Sequence, residues 1–102
     1  TLAAEKMPKS AHMANQHGKV VASAIVEYFS GRNPTPSKMI NACYSFIDKS
    51  SAIHVARVYD YDSARKTMVP NMRAGGLSLK PTIVEGRHAF AWAENIWTDT
   101  FQ

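Results

Sequence analysis

A single cysteine, Cys43, carries the one thiol in this 102-residue sequence. It sits in Asn41-Ala42-Cys43-Tyr44-Ser45, within an apolar run over residues 39–47 that alternates as a β-strand does. One face of that strand reads Ile40, Ala42, Tyr44 and Phe46; the other reads Asn41, Cys43 and Ser45. Cys43 therefore points away from the bulky apolar row, toward a ligand, another sulfur or solvent. One cysteine cannot close an internal disulfide, so the thiol is free or its partner lies outside these residues.

Other chemistry is sparse. His12, His17, His54 and His88 fall on different elements, and the five-residue step from His12 to His17 puts them on different sides of a helix. No HExxH and no Cys/His pair is present, so a metal site is not expected. A Cys-His nucleophile through Cys43 with His54 or His88 lacks an oxyanion loop and a third group to orient the base. A lone cysteine more often packs as a small hydrophobe. Pro8, Lys9 and Ser10 fall where a long helix begins. Its positive end attracts an anion or an electron-rich carbonyl, although an ordinary capped helix has the same signature.

The elements that must position these groups follow from spacing. Ser10 is a good N-cap, and Met13, Val20, Val21, Ala24, Ile25, Tyr28 and Phe29 recur at helical intervals. Gly31 is the expected residue just past that helix, and Pro34 and Pro36 forbid its continuation. The cysteine strand comes next, then a turn over residues 48–51 and a second strand over residues 53–61. The gap is too short for a crossover helix, so the pair is an antiparallel hairpin. Residues 65–69 suggest a third strand, and residues 70–81, with Gly75-Gly76, read as loop. Thr82 and Glu85 have capping-box spacing and open a last helix to about residue 98. Its broad apolar side of Ala89, Phe90, Trp92, Ala93, Ile96 and Trp97 is the kind usually buried as core. The expected fold is α+β: a long N-terminal helix, a small antiparallel sheet of two or three strands, and a C-terminal helix packed on it. The chain is one domain, with residues 1–9 a flexible lead-in.

The net charge of +4 is modest. With no Lys/Arg run it argues for a solvated surface or an acidic protein partner rather than nucleic acid. No apolar run is long enough to span a membrane. The opening Thr1-Leu2-Ala3-Ala4 reads as the interior of a longer or processed protein, so the lack of a signal sequence leaves the compartment open.

Four stretches in order resemble one family. Met7-Pro8-Lys9-Ser10, then Ala14-Asn15-Gln16 with Gly18-Lys19-Val20, then Asn41-Ala42-Cys43-Tyr44-Ser45, then Phe90-Ala91-Trp92 with Asp99-Thr100-Phe101 are similar to the C-terminal part of the flavoprotein subunit of flavocytochrome c sulfide dehydrogenase. That family is related to sulfide:quinone oxidoreductases and to the glutathione reductase superfamily. The likeness runs from about Met7 to the end and is weakest over residues 62–82.

The resemblance implies a flavin-contacting and interface segment of an FAD-dependent sulfide dehydrogenase. By that likeness Lys9, Ser10 and Ala11 approach the flavin's pyrimidine end, where a helix N-terminus stabilises negative charge. Cys43 takes the place of one half of a redox-active disulfide, in a motif whose usual Thr is Ala42 here. Trp92, rather than Trp97, is the tryptophan near the flavin and sulfide site. The partner cysteine and the FAD and dinucleotide-binding domains would lie outside this chain, the electrons would pass to a c-type cytochrome subunit, and the compartment would be the periplasm. The chain alone would neither hold FAD tightly nor turn over, and the bared face of the first helix would be covered by dimerisation or swapping. A different reading is a stand-alone dimerisation or interaction module that kept the fold without the redox role.

Overall fold

The computed structural model describes residues 7–101. The element order is α1 (Ala11–Phe29), β1 (Met39–Phe46), β2 (Ala52–Asp62), β3 (Thr67–Leu77) and α2 (Ile83–Phe101). The strands form one antiparallel sheet in the order β1-β2-β3. The helix–sheet–helix α+β arrangement is the expected one. Of the lead-in, residues 1–6 lie outside the described residues, and Met7 is buried in the core.

Local chemistry sets the helix ends. Ser10 is the N-cap of α1, its Oγ accepting the Met13 amide at 3.2 Å. At the other end Gly31 takes φ +73°, the Gly31 amide donates to Tyr28 C=O and the Arg32 amide to Glu27 C=O, each at 3.0 Å. Together with the Ser30 amide on Val26 C=O, this left-handed stop satisfies the carbonyls of Val26, Glu27 and Tyr28. Glu27 then accepts from the amide (2.6 Å) and hydroxyl (2.9 Å) of Thr35, folding the proline-bearing linker back on the helix.

The strand turns are built on aspartates. Asp48 Oδ1 accepts the amides of Ser50 (2.8 Å) and Ser51 (2.7 Å), and Asp62 Oδ1 accepts those of Ala64 and Arg65, both at 3.0 Å. β3 is longer than expected: residues 70–77, read as loop, are strand. Pro70 is tolerated because β3 is an edge. Between Val58↔Asn71 and Arg57↔Gly75 the register slips, so Met72, Arg73 and Ala74 bulge out. Gly75 closes that bulge at φ +92°, where a Cβ would lie 2.3 Å from Ala56 O. The glycine that reads as a loop breaker is thus a strand device.

The sheet uses both faces. Met39 and Tyr59, paired across β1 and β2, join Met7 and Met13 in a buried cluster, with Val20 and Met68 packed against it. On the opposite face Phe46 meets Phe90 at 5.0 Å between ring centroids, and Tyr44 meets Trp92 at 5.7 Å. Thr82 bridges Ala52 by a pair of 3.1 Å backbone bonds, seating the start of α2. The helix then passes so close that buried Gly86 has no room for a side chain.

Much apolar surface stays outside. On α1 only Met13 is buried, while Val21, Ile25, Val26, Tyr28 and Phe29 are exposed. On α2 Ala89 is buried and Trp92, Ala93 and Ile96 are half-buried, but Phe90 and Trp97 are about 60% exposed. The expectation that this whole aromatic side is core therefore fails within the chain, because two helices on a three-stranded sheet cannot enclose it. The Cα radius of gyration is 15.8 Å, against about 13 Å for a compact domain of 100 residues. No helix among the described residues is long and apolar enough to cross a membrane.

Candidate functional site

β1 is a sheet edge, and an unpaired edge must be covered or it recruits another strand. The first turns of α1 cover it with polar side chains. Gln16 takes the place of a missing strand at Ile40: its Oε1 accepts the Ile40 amide at 2.9 Å and its Nε2 donates to the Ile40 carbonyl. One turn earlier His12 Nδ1 accepts the Ala42 amide at 3.3 Å, which places the proton of the neutral ring on Nε2. The N-terminus of α1 is thereby fixed against the Asn41-Ala42-Cys43 stretch.

On one side of that edge lies the cysteine. Ser10 Oγ, already accepting from Met13, donates to Asn41 Oδ1 at 3.0 Å, and Asn41 Nδ2 donates to Cys43 Sγ at 3.4 Å. Asn41 is 6% exposed, whereas Cys43 is exposed and free. The sulfur thus stands at the surface on a buried amide bonded at both its oxygen and its nitrogen, joined through it to the cap of α1. The expected separation from Tyr44 and Phe46 is observed, since those rings face α2. The cysteine face is not merely polar, however: Met39, two residues from Asn41, is part of the buried cluster.

The start of α1 is rich in donors. No acidic side chain occupies its first turn. Only the Met13 and Ala14 amides are satisfied by Ser10, so those of Ala11 and His12 have no acceptor among the described residues. Lys9 is exposed beside them. Amides, an ammonium and a helix dipole at one point form a site for negative charge.

Trp92 lies on the other side of the edge. Its ring meets His12 edge-on at 5.5 Å and Tyr44 at 5.7 Å. Cys43 and Trp92 are therefore on opposite faces of β1, both adjoining the start of α1, one through Ser10 and Asn41 and the other through His12. The Nε1 of Trp92 is buried with no acceptor among the described residues. A buried indole donor without a partner is uncommon.

His54 is not a base for Cys43. It pairs with Tyr44 across the hairpin, whereas Cys43 pairs with Val55, so the ring and the thiol point to opposite faces. Instead His54 belongs to a knot with Ser78 and Glu85. Its amide donates to Ser78 Oγ at 2.7 Å, and its Nδ1 lies 2.9 Å from that oxygen and 3.2 Å from Glu85 Oε2. Ser78 Oγ also donates to the Glu85 carboxylate. With the hydroxyl hydrogen on Glu85, which is nearer than the alternative acceptor, the His54 carbonyl at 3.3 Å, Nδ1 faces two acceptors and the tautomer protonated there fits the knot. Serine and acid meet the same ring nitrogen, which is not the arrangement of a catalytic triad. The Ser78 hydroxyl first, and then His54, hold the Glu85 carboxyl below the ordinary glutamate value against the opposing effect of burial. The expected capping box is half formed: Thr82 Oγ1 accepts the Glu85 amide at 3.1 Å, but the Glu85 carboxylate turns to Ser78 rather than back to Thr82.

Farther along, Asp99 joins the helices. It takes Lys19 Nζ at 2.6 Å and Asn15 Nδ2 at 3.1 Å, and these two bonds, Lys19 first, hold its carboxyl below the usual aspartate value. No group of His, Cys, Asp and Glu among the described residues is placed to hold a metal ion.

Of the sequence candidates, Lys9, Ser10, Ala11 and Cys43 come together, and Trp92 flanks them. Sequence reasoning missed Asn41, His12 and Gln16. Asn41 has a readable signal, a polar residue between Met39 and Cys43 on a face that is otherwise buried at its start. The roles of His12 and Gln16 depend on which edge of β1 the helix covers, which no local pattern encodes. A family model described as flavocytochrome c sulphide dehydrogenase, flavin-binding, matches residues 35–101, a span that includes Cys43 and Trp92 and begins after α1.

Proposed function

The chain belongs to the flavocytochrome c sulphide dehydrogenase flavin-binding family, and from that premise we propose that it is the thiol-bearing, flavin-contacting segment of an FAD-dependent sulfide dehydrogenase of the periplasm. The observation that carries the reading is the Ser10–Asn41–Cys43 chain of hydrogen bonds, which sets the thiol beside the amide-rich start of α1.

The residues present suit a flavin. Its pyrimidine end offers carbonyl and ring-nitrogen acceptors and gains negative charge on reduction; the Ala11 and His12 amides and Lys9 offer donors and positive charge. The orphan indole of Trp92 offers one more donor. Bound there, a flavin would supply two-electron uptake and one-electron release to a c-type cytochrome subunit. The chain's own part is sulfur chemistry. Cys43 would form one half of a disulfide with a cysteine outside these residues. Hydrosulfide attacks one sulfur, the S–S bond breaks, a persulfide forms on the attacked cysteine, and the other cysteine leaves as a thiolate. The α1 dipole and the Asn41 amide favour that thiolate. The dinucleotide-binding domains and second cysteine would come from the rest of the flavoprotein, so the chain alone would not turn over.

A test measures bound-flavin absorbance and sulfide-dependent cytochrome c reduction in the assembled flavoprotein carrying this chain. Cys43→Ser is expected to keep the flavin and lose the reduction. A wild-type protein without flavin, or a Cys43→Ser protein reducing cytochrome c at the wild-type rate, sinks the reading. A second reading, an interaction module without redox role, draws on the exposed apolar side of α1. It predicts that Cys43→Ser changes nothing but that charges placed on that side abolish association.

A further inference from the structure

We infer that Asn41 is a positioning residue for the Cys43 thiolate, with Ser10 selecting the orientation in which it donates. The inference rests on the reading that Cys43 works as a thiolate, and deepens it. Asn41 is the one buried polar or charged residue among the described residues, and each end of its amide has a partner. Oδ1 accepts from Ser10 Oγ at 3.0 Å, and Nδ2 reaches Cys43 Sγ at 3.4 Å, a normal span for N–H to sulfur.

Which end faces the sulfur decides the chemistry. A thiolate only accepts, so it needs Nδ2; the neutral thiol can donate S–H and tolerates Oδ1. Ser10 has one hydroxyl hydrogen. Because Oγ accepts from the Met13 amide, that hydrogen is free to point at Asn41, where it meets Oδ1. The cap of α1 thereby favours the amide orientation that serves the thiolate. A hydrogen bond to an ionised group is about twice as strong as one between neutral partners. The donor thus gains strength when the thiol gives its proton to solvent, or when a disulfide at Cys43 is cleaved with sulfur leaving as S⁻. Arg57 faces Asn41 across the β1–β2 pair and adds positive charge to the same face. It stays in every variant below; its contribution is held constant in Asn41→Leu and Ser10→Ala, whereas in Asn41→Asp the new carboxylate faces it and draws its charge away from the sulfur.

The test is the alkylation rate of Cys43 by iodoacetamide at fixed neutral pH, read by intact mass on the chain, whose single cysteine makes the site unambiguous. Asn41→Asp keeps the acceptor for Ser10 but replaces the donor with a carboxylate, and is expected to slow alkylation by about tenfold or more. Asn41→Leu removes the donor without adding charge and is expected to slow it severalfold. Ser10→Ala leaves Asn41 in place but frees its orientation, and a slowing of about threefold is expected. Circular dichroism checks each fold. A merely structural role gives the opposite sign, because loosening β1 exposes the sulfur and speeds alkylation. Rates within twofold of wild type, or faster, overturn the inference. If neither Asn41 variant folds, Ser10→Ala decides by the same criterion. Bound flavin is scored separately in the assembled flavoprotein; a flavin-free wild type defeats the functional reading but leaves the alkylation result standing.

Discussion

Two glycines, both within helices, show how one hydrogen atom can hold a fold together. At Gly86 a Cβ would sit 1.8 Å from Ser50 O and 2.8 Å from Ser50 C, so backbone rather than a flexible side chain blocks it. At Gly18 a Cβ would meet nothing within 4 Å. Gly18→Ala is expected to stabilise by about 0.5–1 kcal/mol, the ordinary helix preference for alanine. Gly86→Ala gains the same preference and must still lift α2 off the turn between β1 and β2, a net loss of about 3 kcal/mol or more. Thermal melts followed by circular dichroism should separate the pair by about 10 °C or more. Equal melting temperatures would mean that α2 does not rest on Ser50. Nothing in the sequence distinguishes these glycines, because the difference is made by an element far along the chain. Cys43 is the reverse case: strand alternation alone placed it away from Tyr44 and Phe46, since a period of two is a local property.

At the scale of elements, what was legible is what local chemistry dictates. Ser10 and Gly31 bound α1 as read, and the β1–β2 hairpin follows from its short gap. The second half of β3 was hidden because Pro70, Gly75 and Gly76 signal loop until a neighbouring strand is present to bulge against. The edge of β1 makes a further prediction. Gln16→Ala strips the amide that pairs with Ile40, leaving backbone groups to water. A loss of about 1 kcal/mol is expected, with more aggregation on storage by light scattering, as an open edge invites pairing; unchanged scattering and stability would show that the edge needs no cover. Acid should act on the ties between elements. Glu27, Asp48, Asp60, Glu85 and Asp99 all have carboxyls held below their ordinary values, each by hydrogen bonds to its partners. With folded values lower than unfolded ones, the unfolded chain binds protons first. The stabilisation is therefore fully present above the ordinary carboxylate range, about pH 4 to 4.5, and is lost as pH falls through the lower folded values. Urea midpoints should be flat from neutral pH to about pH 5 and drop beneath it. Glu85→Gln should shrink that drop; an unchanged acid limb would show that the Ser78–Glu85 tie contributes nothing.

The whole molecule is a slab of about 50 × 33 × 20 Å, with a buried cluster at one end of one face and naked apolar helix at its flank. Val21, Ile25 and Phe29 repeat every four residues on α1 and are 56%, 51% and 83% exposed. Periodicity reports that a face is to be covered, not what covers it. On α2 the same pattern suggested core for Phe90 and Trp97, which are exposed, as is Phe101 beyond them. A face of that kind is expected to be covered in the assembled flavoprotein and to associate when the chain is alone. Sedimentation of the isolated chain should then give a mass that rises with concentration. The paired change Ile25→Glu and Phe29→Glu should return it to monomer without lowering the melting temperature, since neither side chain contributes to the buried cluster. Monomeric behaviour of the unaltered chain at every concentration would refute self-association. Loss of folded structure in the double variant would mean instead that the row packs within the chain. Introduced into the assembled flavoprotein, the same two charges are expected to weaken attachment of this segment and lower flavin retention while Cys43 alkylation in the chain alone stays at its wild-type rate. That combination places the defect on the flank of α1, not at the sulfur.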